Sequence, residues 1–183
     1  MNSNTIVQFE CFETTLELDA FVQSWEVYAK KFVDHDVDVT LHQRISGGGK
    51  FKYVSRHEWP EESFQFTFMK GRISAFFSEG NVKVVQAGGY SPIQAECLHD
   101  VENTYRKLLI FLPESDTSVE DYKALSFHRY LNIYQSYFES CQYGHILEFF
   151  IDSVEVPHFL EWLKINKPGI ETGLYRECLA LHE

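Results

Sequence analysis

The stretch 39–90 constrains what this chain can fold into more than any other. VTLHQRI (39–45) alternates as a strand does, SGGG (46–49) reads as a reversal, and KFKYVSRHEW (50–59) reads as a second strand. PEESFQFTFMKG (60–71) opens with Pro-Glu-Glu, as a helix first turn often does, and NVKVVQAGGY (81–90) is a Val-rich strand. VQFECF (7–12) and one long amphipathic segment precede it. The element order is β-α-β-β-α-β, a sheet with helices on one face and a second face that must be buried elsewhere.

The register of the hairpin decides which side chains meet. With SGGG as a four-residue loop, His42 faces Tyr53, Leu41 faces Val54 and Arg44 faces Phe51. One face then carries Val39, Leu41, Ile45 and Val54. The other carries Thr40, His42, Arg44, Phe51, Tyr53, Ser55, His57 and Trp59. A loop one residue longer would pair His42 with Val54 and scatter these groups. The first register is preferred because it separates an aliphatic face from a polar-aromatic one. Three glycines, Gly47 to Gly49, can take positive φ at the reversal. They join two strands and no GK[ST] follows, which argues against a phosphate cradle.

Elsewhere, residues 1–5 read as a frayed end. Val7, Phe9 and Cys11 share one strand face, with Gln8 and Glu10 on the other. Thr14 and Glu17 have capping-box spacing. Leu18, Phe21, Val22, Trp25, Ala29, Phe32 and Val33 form a helical stripe. Gly88-Gly89 suggests a bulge or turn. Residues 94–103 read as a connector between units 1–93 and 104–183.

The second unit begins with a strand at 106–112 and a helix capped by Ser118. Residues 119–138 admit two readings. Phe127, Tyr130, Leu131, Tyr134 and Phe138 fit a helical stripe, yet LNIYQSY (131–137) aligns with VTLHQRI at an offset of 92. The second reading gives a turn at ESCQYG, a strand at 145–152, a helix striped by Val156, Phe159, Leu160 and Leu163, and a last strand at 173–181. The second half then repeats the first.

A net charge of −11, with no Lys/Arg cluster, opposes nucleic acid and anionic membranes as partners. No apolar run approaches the ~20 residues a spanning helix needs, and the N-terminus lacks a signal-peptide pattern. The four cysteines form no CxxC pair and read as reduced thiols, so a cytoplasmic location is expected. The 16% aromatic share can fill a core or line an apolar cavity. His35 with Asp34, Asp36 and Asp38 reads as a solvated turn rather than a metal site, and no HExxH, GxSxG or GxGxxG occurs.

The duplicated order is that of two ferredoxin-like units, an α+β fold in which antiparallel sheets close into an α+β barrel. This resembles the dimeric α+β-barrel superfamily, and within it the antibiotic-biosynthesis monooxygenase-like proteins. The local likeness lies in FKYVSRHEWPEESFQFTF (51–68), a strand ending in Trp, an acidic turn and a Phe-bearing helix. The second half can complete the barrel within one chain, and a homodimer is compatible with it. The resemblance implies oxygenation of aromatic polyketides, quinol oxidation or haem degradation, often without a conventional cofactor and with haem as a conceivable ligand. Many members carry a His on the second helix; Thr67 stands there in the first half and His158 in the second.

Cofactor-free oxygenation needs a base, groups that hold an anion, and a dry pocket. His42, Tyr53 and His57 are the expected catalytic groups, and Arg44, Trp59 and Phe51 the expected substrate-binding ones, for a small aromatic molecule. The competing reading makes His42 and His57 satisfied strand histidines and Arg44 a surface charge. Two functional classes follow: a monooxygenase-like enzyme, or a non-catalytic ligand-binding or stress-response barrel. A regulatory domain pairing through its sheets is a third.

Overall fold

A computed structural model describes residues 5–33, 36–64, 77, 81–95, 105–137 and 141–181. In order the elements are β1 (Thr5–Thr14), α1 (Leu18–Val33), β2 (Asp38–Ser46), β3 (Tyr53–Pro60) and a 3-10 turn (Glu61–Ser63). Then follow β4 (Val82–Gln94), β5 (Tyr105–Pro113), α2 (Val119–Lys123), β6 (His128–Ser136), β7 (Tyr143–Asp152), α3 (Val156–Asn166) and β8 (Glu171–Leu181).

The strands form a closed barrel in the order β1-β3-β2-β8-β5-β7-β6-β4, with β4 returning to β1 and every pairing antiparallel. Each half contributes four strands in the same relative order, and β2–β8 and β4–β6 join the halves. Closure leaves no sheet edge unpaired, and unpaired edges are where β proteins associate wrongly. The ambiguous segment 119–138 resolves in favour of the repeat. Helix α2 stops after Lys123, and β6 follows.

Three clusters share the core. Phe21, Trp25, Tyr28, Ala29 and Phe32 of α1 pack on Ile6, Phe12, Val39, Leu41, Tyr53 and Trp59 of the outer sheet face. Val156, Phe159 and Leu163 of α3 and Val119 and Tyr122 of α2 cover the other half, on Leu108, Ile110, Leu147 and Phe149. The third cluster contains no helix residue and draws on Val7, Phe9, Cys11, Val54, Tyr90, Leu109, Phe111, Tyr134, Ile146 and Tyr175 from seven strands, so it fills the barrel interior. Burying each large side chain contributes about 1.5–3 kcal/mol relative to leaving it exposed.

Several expectations need correction. Thr14 forms no capping box: its hydroxyl accepts from Leu16 N at 3.0 Å and donates to Asn81 O at 2.6 Å, and α1 begins later, at Leu18. Ser118 precedes α2, but its hydroxyl donates to Asp116 rather than capping the helix. Gly88 and Gly89 lie in an unbroken part of the β1–β4 ladder. The register shifts occur at 84–86 and 92–94 instead. Gly88 is needed for space, since a Cβ there would stand 2.9 Å from Cys141 Sγ and 3.1 Å from the Tyr90 ring. Beyond Phe64, the expected helix over 60–71 and its Thr67 lie outside the described residues, as do most of the connector and residues 34 and 35 of the expected polar turn.

Candidate functional site

The hairpin takes the longer-loop register rather than the preferred one. His42 pairs with Val54 and Gln43 with Tyr53, and residues 47–52 form the loop. The reason is tertiary. Lys52 N donates to Phe12 O on β1, Lys50 N donates to the Glu171 carboxylate on β8, and Phe51 turns into the barrel against Phe111 and Tyr143. Gly47 supplies the left-handed step, at φ +102°. Four other strands, β1, β8, β5 and β7, therefore hold the loop open.

This register divides the six expected site residues. His42 and Phe51 are buried inside the barrel, and Arg44 shares that face of β2. Tyr53, His57 and Trp59 project to the opposite face, under α1. The six do not converge on one cavity. The half of the interior nearest the hairpin loop is occupied by rings: Phe51 and Phe111 at 5.0 Å, Phe111 and Tyr143 at 5.4 Å.

Two separate polar centres result. The one under α1 is built on Glu10, which shares the polar face of β1 with Gln8 and is fully buried. Tyr28 OH donates to Glu10 Oε1 at 2.8 Å, Ser55 Oγ to Oε2 at 3.1 Å, and Gln8 Nε2 also donates to Oε1. His57 Nε2 lies 3.3 Å from Glu10 Oε2 and 3.0 Å from Ser55 Oγ. Trp25, Tyr28 and Phe32 enclose the imidazole, with the Phe32 ring centre 4.8 Å away. Ser, His and Glu are adjacent here, but the carboxylate shares Nε2 with the hydroxyl rather than taking Nδ1. Ser55, His57 and Glu10 are all completely buried, so this is not a nucleophile relay. It pins α1 to the sheet.

The second centre lies inside the barrel and reaches solvent. His42 on β2, Arg56 on β3, Lys107 on β5, Asn132 and Tyr134 on β6 and Glu148 on β7 meet across the lumen. Lys107 Nζ donates to His42 Nε2 at 2.8 Å and stands 3.0 Å from Glu148 Oε1. The other carboxylate oxygen of Glu148 accepts from Asn132 Nδ2 and Tyr134 OH, both at 2.9 Å. Arg56 donates to Tyr134 OH at 3.2 Å and pairs with Glu58. The Lys107 and Arg56 side chains keep 20% and 12% of their exposure, whereas Glu148 keeps 2%, so the centre opens at the cation end. The Phe150 ring lies 5.4 Å from Lys107 Nζ.

The electrostatics follow from burial and from these neighbours. Burial, then the Lys107 charge, holds the His42 imidazole well below its usual range, so it is neutral at pH 7. A neutral ring that accepts from Lys107 at Nε2 carries its proton on Nδ1. Burial would raise the Glu148 carboxyl, but Lys107 and Arg56 outweigh that and hold it far below the ordinary carboxylate range. Burial pushes the Tyr134 phenol up. Sequence reasoning missed five of these six residues, Arg56, Lys107, Asn132, Tyr134 and Glu148. The available signal was charged or amide side chains interrupting apolar strands, in RKLLIFL, LNIY and HILEFF.

Among the described residues, five histidines could be asked to hold haem. His42 is tied to Lys107, and His57 is caged by rings. His128 stands against Phe149, burial lowers the His145 imidazole against the opposing Asp116 charge, and His158 lies on the exposed side of α3, 3.3 Å from Glu155. The described residues contain no group of three or more metal-binding side chains, and no helix among them is long and apolar enough to cross a membrane.

No protein-family model matches the chain, and no curated protein matches it significantly. Solved structures do. A variant of chlorite dismutase from Candidatus Nitrospira defluvii is 12% identical, with a TM-score of 0.59 over 96% of this chain and 93% of the other. The same enzyme in complex with imidazole gives a TM-score of 0.58 at 12% identity, over 96% and 92%. A proposed monooxygenase from Fusobacterium nucleatum gives 0.53 at 12% identity, over 100% and 96%. At such identities the likeness is one of fold. With its eight-stranded closed barrel of two ferredoxin-like halves, the chain has the fold of the dimeric α+β-barrel superfamily.

Proposed function

We propose that the protein is a monooxygenase-like barrel that takes a small phenolic or enolisable aromatic compound at the polar mouth of its lumen. The observation that carries this reading is the contact between a neutral imidazole, His42, and the ammonium of Lys107 at 2.8 Å. A base and a cation that can hold the resulting anion stand side by side in a site of low polarity. When Lys107 turns from His42 to the substrate oxygen, Nε2 is free to accept a proton, and Lys107 and Arg56 face the developing charge. Phe150 offers a flat apolar surface beside them. The anion then reacts with dioxygen: a CH2 group and O2 give C=O and water, with the substrate supplying all four electrons and both hydrogens.

The test is to incubate the protein with an anthrone and with a quinol under oxygen, following absorbance and oxygen uptake. Turnover that disappears in His42→Gln supports the reading. A second reading, a non-catalytic binding barrel, is favoured by Glu148, which satisfies both Lys107 and Tyr134 without any ligand. Tight binding of the same compounds without oxygen uptake would establish that alternative.

A further inference from the structure

Two ion pairs stand at the barrel mouth. Lys107 is matched by Glu148 at 3.0 Å and Arg56 by Glu58. His42, Asn132 and Tyr134 complete the ring without adding charge. Arg44 stands further along β2, beside Tyr175, and bonds to none of these groups. The Glu10–His57 pair faces the other side of the sheet, under α1.

Glu148 has the surroundings of a bound carboxylate ligand. One oxygen takes an ammonium and the other takes an amide and a phenol. These donors are what would recognise an anionic substrate, and the protein's own side chain already occupies them. An incoming carboxylate would meet a fixed negative charge in a site of low dielectric, where like charges repel strongly. An uncharged hydroxyl meets no such barrier. It can donate to His42 or Glu148 and accept from Lys107.

We infer that Glu148 sets the substrate class of this barrel, admitting neutral phenols and enols and excluding preformed carboxylates. The inference rests on the reading of the mouth as a binding site. It assigns Glu148 this role by its depth: of the two described carboxylates paired to cations in this ring, Glu148 is 2% exposed, whereas Glu58, held by Arg56 on the same strand, is 26% exposed.

Two probes of one shape and different charge separate the cases: 1-naphthol and 1-naphthoate, titrated at pH 7 against wild type, Glu148→Gln and Lys107→Met by calorimetry. Wild type should prefer naphthol by about tenfold or more, the factor that a like-charge clash of about 1.4 kcal/mol gives. Glu148→Gln keeps an acceptor for Asn132 and Tyr134, releases the Lys107 charge, and should raise naphthoate affinity by about tenfold. Lys107→Met leaves Glu148 uncompensated and should abolish naphthoate binding while only weakening naphthol. A wild type that prefers naphthoate overturns this inference and leaves the binding site standing. An unchanged naphthol-to-naphthoate ratio in Glu148→Gln does the same. If that variant does not fold, an unchanged ratio in Lys107→Met decides against the inference. Failure of wild type to bind either probe removes the binding site and this inference together.

Discussion

Arg56 and Glu148 occupy the same position in the two halves of the barrel and carry opposite charge. Adding 92 to each number of the Thr40–Arg56 pair gives Asn132–Glu148, and both pairs are in the ladder. The same shift carries His42–Val54 onto Tyr134–Ile146. Three equivalent positions thus hold a hydroxyl and an amide, an imidazole and a phenol, a cation and an anion. The polar centre is one composite site in which the two halves have taken complementary roles, and Lys107 on β5 bridges them.

Removing Lys107 should cost more than its surface exposure suggests. Lys107→Met leaves Glu148, 2% exposed, without its ammonium, and breaking such a buried pair costs about 3–5 kcal/mol. The double variant Lys107→Met, Glu148→Met removes both charges and should recover much of that loss. Urea midpoints of wild type, the two single variants and the double form the cycle. Additive losses would show that the two groups are not coupled.

The acid dependence of stability should trace to Glu148. Its folded carboxyl is held below the unfolded value, so its contribution is complete above about pH 5 and is lost as pH falls below the ordinary Glu value of about 4.3. The stability difference between wild type and Glu148→Gln should be flat from pH 5 to 7 and shrink below. A difference that grows on acidification would contradict the charge state described here.

His42 acts at a higher pH. Its imidazole stays neutral in the folded barrel while the unfolded chain takes up a proton below about pH 6.5. Below that pH the unfolded state binds more protons, so folding loses up to about 1.4 kcal/mol per pH unit from this group. His42→Gln should show a shallower decline between pH 6.5 and 5. Equal slopes in parallel denaturation series would mean that His42 is protonated in the folded state.

The centre under α1 should matter for stability but not for ligand. Glu10→Leu strands the donors of Gln8, Tyr28 and Ser55 in a dry interface, each worth about 1–3 kcal/mol when orphaned. Chemical denaturation should show a loss of several kcal/mol, with 1-naphthol affinity within about threefold of wild type under native conditions.

Gly47 carries the open hairpin loop. Its φ is +102°, and a Cβ added there would stand 3.1 Å from Gly173 Cα. Gly47→Ala should therefore cost about 1–3 kcal/mol in a thermal or urea melt. Gly48, where a Cβ would meet nothing within 4 Å, is the control and should change little.

Much of the architecture was legible in the residues themselves. The i, i+3, i+4 stripe from Leu18 to Val33 can bury only as a helix. The alternating runs around His42 and Tyr134 can satisfy one buried face only as strands, and their offset of 92 exposed the duplication. Such patterns are local, because side-chain period follows from backbone geometry. The candidate site was not local. Whether His42 meets Tyr53 or Val54 depends on a single residue of loop length, and that was decided by Phe12 O, Glu171 and the aromatic lumen gripping residues 50–52 from other strands. The partners of His42 lie on β5 and, beyond Lys107, on β7, more than sixty residues away in sequence. Only closure of the barrel brings Lys107 and Glu148 to it, because a charge enters a desolvated lumen only where opposite charge and hydrogen bonds await it.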